Sequence, residues 1–267
     1  IQLTVEVANT KGSATRIENV EFISEISDQL QTENAVSEVS KLIPHVIAGT
    51  GGNNTAATVE FTRKAKLAGA DMALVVAPYY NKPTQEGLYQ HFKAIADAVP
   101  DFPIMLYNVP GRTCSNISAE TTLRLAGDCE NIVATKEASG NFPQVMEIIR
   151  GKQPDFAVFS GDDASTIPLI ALGADGLVSV ASNEIPELMC ELTEAALTGD
   201  FVKAREIHYR IFPLVEANFI ESSPAPLKFV MKEMNLLEEI LRLPLVPVTQ
   251  NSRQMLRKIV ADLNLSK

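Results

Sequence analysis

The sequence predicts an α/β fold: a (β/α)8 TIM barrel with a small C-terminal helical extension. Three observations carry this. Six short apolar runs recur, at residues 46–50, 72–77, 104–107, 132–136, 156–160 and 176–180. They are rich in Val, Ile, Leu and Ala, as strands covered on both faces should be. Their starts lie 26, 32, 28, 24 and 20 residues apart, against the roughly 31 per unit of a barrel that spends about 250 residues on eight units. The intervening segments have helical period: Leu88, Phe92, Ile95 and Val99 step by 4, 3 and 4 along one face.

Taken in order, the front of the chain is the irregular part. Residues 3–8 fit a first strand, 20–30 a helix, and a second strand could begin at 34–36. Only nine residues, 37–45, then precede the run at 46, whereas a parallel crossover needs about a dozen. The N-terminal units are therefore expected to be irregular or incomplete. Gly49-Thr50-Gly51-Gly52 lacks the Lys-Ser/Thr of a phosphate-binding loop and reads as a tight turn, with Asn53 or Asn54 capping the next helix. Pro100 stops the helix of Leu88, and Asn141 can cap one carrying Val145, Ile148 and Ile149. Beyond Ser182 the pattern is helical, broken by prolines at 244–247. The expected division is a barrel over 1–198 and a helical extension over 199–267.

Composition narrows the function. Lys and Arg number 23 against 33 Asp and Glu, a net charge of −10. An acidic surface repels phosphate backbones and anionic lipid, which disfavours nucleic-acid or membrane binding as the main role. No apolar run approaches the ~20 residues that span a bilayer, and no signal-peptide pattern opens the chain. Cys114, Cys129 and Cys190 lie far apart with no CxxC, as in a reduced, intracellular and here cytoplasmic protein. His45, His91 and His208 are equally scattered, so neither a metal nor another cofactor is expected. The cysteines and seven methionines read as core filler.

Barrel active sites form at the C-terminal strand ends, where this sequence puts its unusual residues. Lys136 closes the apolar run Ile132-Val133-Ala134. Burial there would favour its neutral form, which can attack a ketone and form a Schiff base. The alternative is a lysine ion-paired with Glu137. Tyr107 and Tyr80 could relay protons or be core residues with satisfied hydroxyls. Arg112, behind a Pro-Gly turn, could hold a carboxylate bidentately or be a solvated surface arginine. Asp162 and Asp163 read as helix caps for a segment opening at Ala164.

Together VIAGTG, PYYNKPTQEGLYQHF, YNVPGRT, KEASGN, SGDD, the 221–228 stretch with Pro224 and Pro226, and LRLPLVPV resemble the dihydrodipicolinate synthase (4-hydroxy-tetrahydrodipicolinate synthase) family. The likeness runs from about Val46 to the C-terminus. It implies a class I aldolase-type lyase that condenses pyruvate with L-aspartate 4-semialdehyde in lysine and diaminopimelate synthesis. Lys136 would form the Schiff base, Tyr107 would assist proton transfer and Arg112 would hold the semialdehyde's carboxylate. Gly161 and Val178 match positions beside the lysine. Tyr80 would reach a neighbouring subunit's site, which implies a homotetramer or homodimer.

Sibling families acting on N-acetylneuraminate or keto-deoxy sugar acids share the lysine and tyrosine; Arg112 points to the synthase branch. The family's Gly-Thr-Thr-Gly-Glu loop after its second strand has no counterpart here, so no threonine is carried over; an inactive barrel is the reading this loss would favour. Asn53 and Tyr79 match a lysine feedback site in some members, but a glutamate position reads Ala57, which points to weak sensitivity.

Overall fold

The computed structural model describes residues 2–7, 17–24 and 45–265. The chain divides into two compact units, Ile1–Val178 and Ser179–Lys267.

The first unit is built on an eight-stranded sheet whose strands lie in chain order. They are β1 (Gln2–Val7), β2 (Ile17–Ser24), β3 (His45–Gly49), β4 (Met72–Val76), β5 (Ile104–Asn108), β6 (Ile132–Glu137), β7 (Ala157–Ser160) and β8 (Gly176–Leu177). From β2 onward every pairing is parallel. The sheet curls, bringing β1 and β8 within 8 Å at their Cα atoms. The six runs expected as strands are thus found, with ends that coincide or shift by up to three residues.

The irregular start has a specific form. The helix expected over 20–30 is contradicted at 20–24, which belong to β2; Val20, Phe22 and Ile23 are residue types that favour strands. β2 is parallel to β3, and the 20 residues between them, 25–44, suffice for a crossover. Only nine residues, 8–16, separate β1 from β2, too few to return a parallel strand, and β1 pairs antiparallel. The second strand expected at 34–36 lies outside the described residues.

Helices α1 (Thr55–Leu67), α2 (Gln85–Ala98), α4 (Ala119–Asp128), α5 (Phe142–Gly151) and α6 (Thr166–Ala171) alternate with the strands, and one turn, α3 (Pro110–Thr113), follows β5. Their starts are written in the sequence. Asn54, Thr84, Ser118 and Asn141 each accept a backbone N–H of the first turn, contacts worth about 1 kcal/mol apiece. On α2, Leu88, Phe92 and Ile95 are buried, each contributing about 1.5–3 kcal/mol.

Strand alternation sorts the core into two layers. Val46, Ala73, Val75, Ile104, Leu106, Ile132 and Val158 pack under the helices. Ile47, Leu74, Met105, Ala134, Phe159 and Val178 pack together on the inner face. Gly51 is fixed by proximity: a Cβ there would lie 2.2 Å from the Val76 nitrogen.

In the second unit, α7 (Pro186–Leu197), α8 (Phe201–Ala217), α9 (Ala225–Glu233) and α10 (Gln250–Asp262) follow one another. The guanidinium groups of Arg253 and Arg257 on α10 lie 4.6 and 5.3 Å from the Phe229 ring of α9. Arg257 is also paired with Glu233 at 2.8 Å.

Candidate active site

Lys136 sits where inner-face alternation carries it. Ala134 is in the inner core, and Lys136 is next on that side. Its cross-strand neighbours are Tyr107 on β5 and Phe159 on β7. The side chain is 3% exposed, and its Nζ lies 4.4 Å from the centre of the Tyr107 ring. Burial drives its pKa down to about 8, the Asp163 carboxylate opposing and the Arg112 guanidinium assisting. A substantial fraction of the amine is then neutral near pH 8, the condition for nucleophilic attack on a ketone.

The ion pair with Glu137 considered from sequence is not what forms. Glu137 is one residue on and faces the opposite side. Its carboxylate accepts from Asn108 Nδ2 at 3.1 and 3.2 Å, Ser139 N at 2.9 Å and Gln144 Nε2 at 3.4 Å. Burial raises its pKa, while the hydrogen bonds from Ser139, Asn108 and Gln144 pull the other way.

Tyr107 is half-buried. Burial raises its pKa, Arg112 lowers it and Asp162 raises it, so the hydroxyl lies within the fields of both a cation and an anion. Arg112 is exposed on α3, the short turn that begins at Pro110.

Gly161 is explained by space. A Cβ would meet Lys136 Cγ at 2.9 Å, Lys136 Cε at 3.0 Å and Ala138 Cβ at 2.9 Å. Only glycine lets the chain leaving β7 pass this close to the lysine stem. Val178 is 1% exposed in the inner core, and its N–H donates to the Ser160 carbonyl at 2.8 Å.

Lys136 and Tyr107 thus lie in adjacent strands, Gly161 and Val178 directly follow β7 and β8, and Arg112 lies in the turn after β5. Tyr80 stands apart: it is 87% exposed and holds φ +74°, a left-handed conformation uncommon for a bulky residue. Tyr79 is 40% exposed.

Two readings are corrected. Asp162 does not cap through a backbone N–H; its carboxylate accepts the Ser165 hydroxyl at 2.6 Å, and 163–165 form a 3-10 turn. Asp163 is buried beside Lys136 instead; sequence offered no sign of this beyond an acidic residue three places after a strand. Cys114 is exposed rather than core, in the left-handed position after α3. Among the described residues, no three His, Cys, Asp or Glu side chains gather as a metal site, and no helix is long and apolar enough to cross a membrane.

Comparison with known proteins decides the family. The profile of the dihydrodipicolinate synthetase family matches residues 22–263. The chain belongs to that family. It is 51% identical over 223 residues to a 4-hydroxy-tetrahydrodipicolinate synthase of Koribacter versatilis, covering 83% of this chain and 74% of the relative. The dihydrodipicolinate synthase crystal structure from Aquifex aeolicus superposes with a TM-score of 0.86 at 46% identity, over 89% of this chain and 82% of that one. A chloride-inhibited dihydrodipicolinate synthase of Acinetobacter baumannii, crystallised with pyruvate, matches with a TM-score of 0.85 at 42% identity, over 89% and 82% of the two chains.

Proposed function

We infer that this chain is a 4-hydroxy-tetrahydrodipicolinate synthase: a lyase that condenses pyruvate with L-aspartate 4-semialdehyde in lysine and diaminopimelate biosynthesis. The observation that carries the chemistry is Lys136, buried at a strand end against Tyr107 with a pKa of about 8. The substrates follow from family membership and close relatives of that name.

The neutral Nζ of Lys136 attacks C2 of pyruvate. The C–N bond forms, the ketone oxygen leaves as water, and an imine remains. Loss of a proton from C3 gives an enamine, whose C3 bonds to the aldehyde carbon of the semialdehyde. The semialdehyde's amine then displaces Lys136 from C2, closing the ring and freeing the lysine. Tyr107 is assigned proton transfer at the imine and the new hydroxyl, Arg112 the second substrate's carboxylate, and Gly161 and Val178 the walls beside the lysine. No cofactor enters this sequence.

The fold that goes with this activity is the complete eight-stranded barrel over 1–198 with a helical extension over 199–267. The working form is a homotetramer or homodimer in the cytoplasm, in which Tyr80 serves a neighbouring subunit's site. Its exposure and left-handed backbone support that role, because strain of this kind is kept where function needs it.

Borohydride reduction in the presence of pyruvate, followed by peptide mapping, tests the reading. The expected result is a pyruvyl adduct on Lys136. No adduct, or one at another lysine, overturns it. Turnover of sugar acids in preference to aspartate semialdehyde would place the chain with the sibling aldolases.

A further inference from the structure

Behind the inner-face residues lies a buried polar network that the chemistry above leaves unused. Asn108 and Glu137 directly follow Tyr107 and Lys136 and face one another across β5 and β6. They are 1% and 2% exposed. The Ile117 N–H donates to Asn108 Oδ1 at 2.9 Å, which fixes the amide so that its Nδ2 points at Glu137. Asn108 Nδ2 also donates to Asn116 Oδ1 at 2.9 Å, and Asn116 Nδ2 to Gln144 Oε1 at 2.8 Å. Gln144 in the first turn of α5 returns a bond to Glu137. One network thus ties the ends of β5 and β6, the loop that follows Arg112, and α5.

Its polarity requires a carboxylate. Asn108 Nδ2 lies within hydrogen-bond distance of both Glu137 oxygens, and Ser139 N donates to one of them. Gln144 Nε2 donates to the other at 3.4 Å, so both oxygens accept from separate donors, which an amide cannot do. A buried carboxylate costs stability even when hydrogen-bonded, and nothing about strand pairing alone calls for one here.

We propose that Glu137, partnered by Asn108, is a positioning residue: it holds the ends of β5 and β6 in the register that keeps Lys136 desolvated against Tyr107 and, through Asn116, anchors the loop bearing Arg112. The inference rests on Lys136 being the imine-forming lysine. Glu137 touches no reacting atom; it acts through the backbone on which the reacting side chains stand.

The test compares Glu137→Gln and Gln144→Ala with wild type in the full chain. Reductive methylation of Lys136 with formaldehyde and cyanoborohydride, followed across pH by peptide mass, reports the lysine's environment without pyruvate. The kcat and KM for condensation are measured alongside. In Glu137→Gln an NH2 opposes Asn108 Nδ2, so β6 shifts, Lys136 is wetted and its methylation midpoint moves up towards the ordinary lysine value. The kcat falls by about 100-fold with a smaller change in KM, as for a reacting group displaced by about 1 Å. Gln144→Ala moves both readouts in the same direction, with about a fivefold loss in kcat, the scale of one hydrogen bond.

A folded Glu137→Gln with wild-type midpoint and kcat overturns the proposal. So does one that melts earlier but keeps the midpoint, which would make the network structural only. If Glu137→Gln does not fold, an unchanged midpoint in Gln144→Ala overturns it. A wild type that takes no pyruvate refutes the assigned reaction, and the methylation midpoints still decide the role of Glu137.

Discussion

The Nζ of Lys136 lies 4.4 Å from the centre of the Tyr107 ring, on adjacent strands in matched register. The pair has two uses. A protonated amine is held by the negative face of the ring; a neutral one is left in a dry inner layer with its lone pair available. That dryness works against the fold. The folded-state pKa is about 8 against the ordinary lysine value of 10.5, so between these values the unfolded chain binds more protons and stability rises with pH. Below about pH 8 the full penalty is present, on the order of 3 kcal/mol from a shift of this size. Lys136→Met should therefore raise stability at pH 7 by up to about 3 kcal/mol, and the gain should vanish above about pH 10.5. Urea denaturation of both proteins at pH 7 and pH 10.5 checks this; a destabilised variant at pH 7 would contradict the assigned burial cost.

Arg112 acts on the same lysine from a distance. Its charge pushes the Lys136 pKa down, and it is the assigned carboxylate holder. Arg112→Ala should leave the maximum of pyruvate trapping intact but move its pH midpoint upward, because one nearby positive charge is gone. Semialdehyde kcat/KM should drop by about 10- to 100-fold, the worth of a charge-assisted hydrogen bond of roughly 1.5–3 kcal/mol. Trapping across pH and steady-state kinetics on one preparation separate the two effects. Equal loss of both activities would make Arg112 structural.

How much of this was legible in the sequence depends on what each residue's neighbours are. The strands from 45 to 160 were legible because a two-sided parallel strand is an uninterrupted apolar run. Lys136 was legible because a charge ending such a run is conspicuous. The start of the chain is less legible: residues 20–30 read as a helix, whereas 20–24 belong to β2 and the spacing to His45 fits a strand followed by a crossover. Asp163 and Glu137 were not legible as buried groups. An acidic residue at a strand end such as Glu137 looks solvated until Asn108, Ser139 and Gln144 converge on it, and those lie 2 to 29 residues away in the chain.

Gly161 offers a steric test. A methyl group there would stand 2.9 Å from Lys136 Cγ and 3.0 Å from Cε. Backbone on both sides is held by the sheet and by the Gly161 N–H to Glu137 carbonyl bond at 2.8 Å, so the lysine stem must yield. Gly161→Ala should cost about 1–3 kcal/mol of stability, typical of overpacking, and should slow pyruvate trapping far more than that loss implies. A Tm series and the trapping rate measured at a temperature where the variant is fully folded distinguish displacement of Lys136 from general unfolding. Wild-type trapping would show that the stem has room the packing does not suggest.

His91 on α2 gives the chain a second pH dependence, in the acid direction. The ring is 5% exposed, and its Nδ1 is 2.9 Å from the Thr55 hydroxyl at the start of α1. Its Nε2 is buried without a hydrogen-bond partner, so a second proton would be placed in an apolar setting against Phe92, 5.2 Å away edge-on. Burial pulls its pKa from 6.5 down to about 4. Between those values the unfolded chain binds the extra proton and the folded one does not, so stability falls as pH drops from 6.5 towards 4. The accumulated loss is up to about 3 kcal/mol for a shift of this size. His91→Gln cannot take up that proton in the unfolded state. It should lose a modest amount of stability at pH 7.5 through poorer packing, and then lose less than wild type as the pH is lowered. Denaturation midpoints from pH 7.5 to pH 4.5 should therefore converge for the two proteins. Curves that stay parallel would mean that His91 binds its proton equally well in both states, and acid sensitivity would then have to come from the carboxylates.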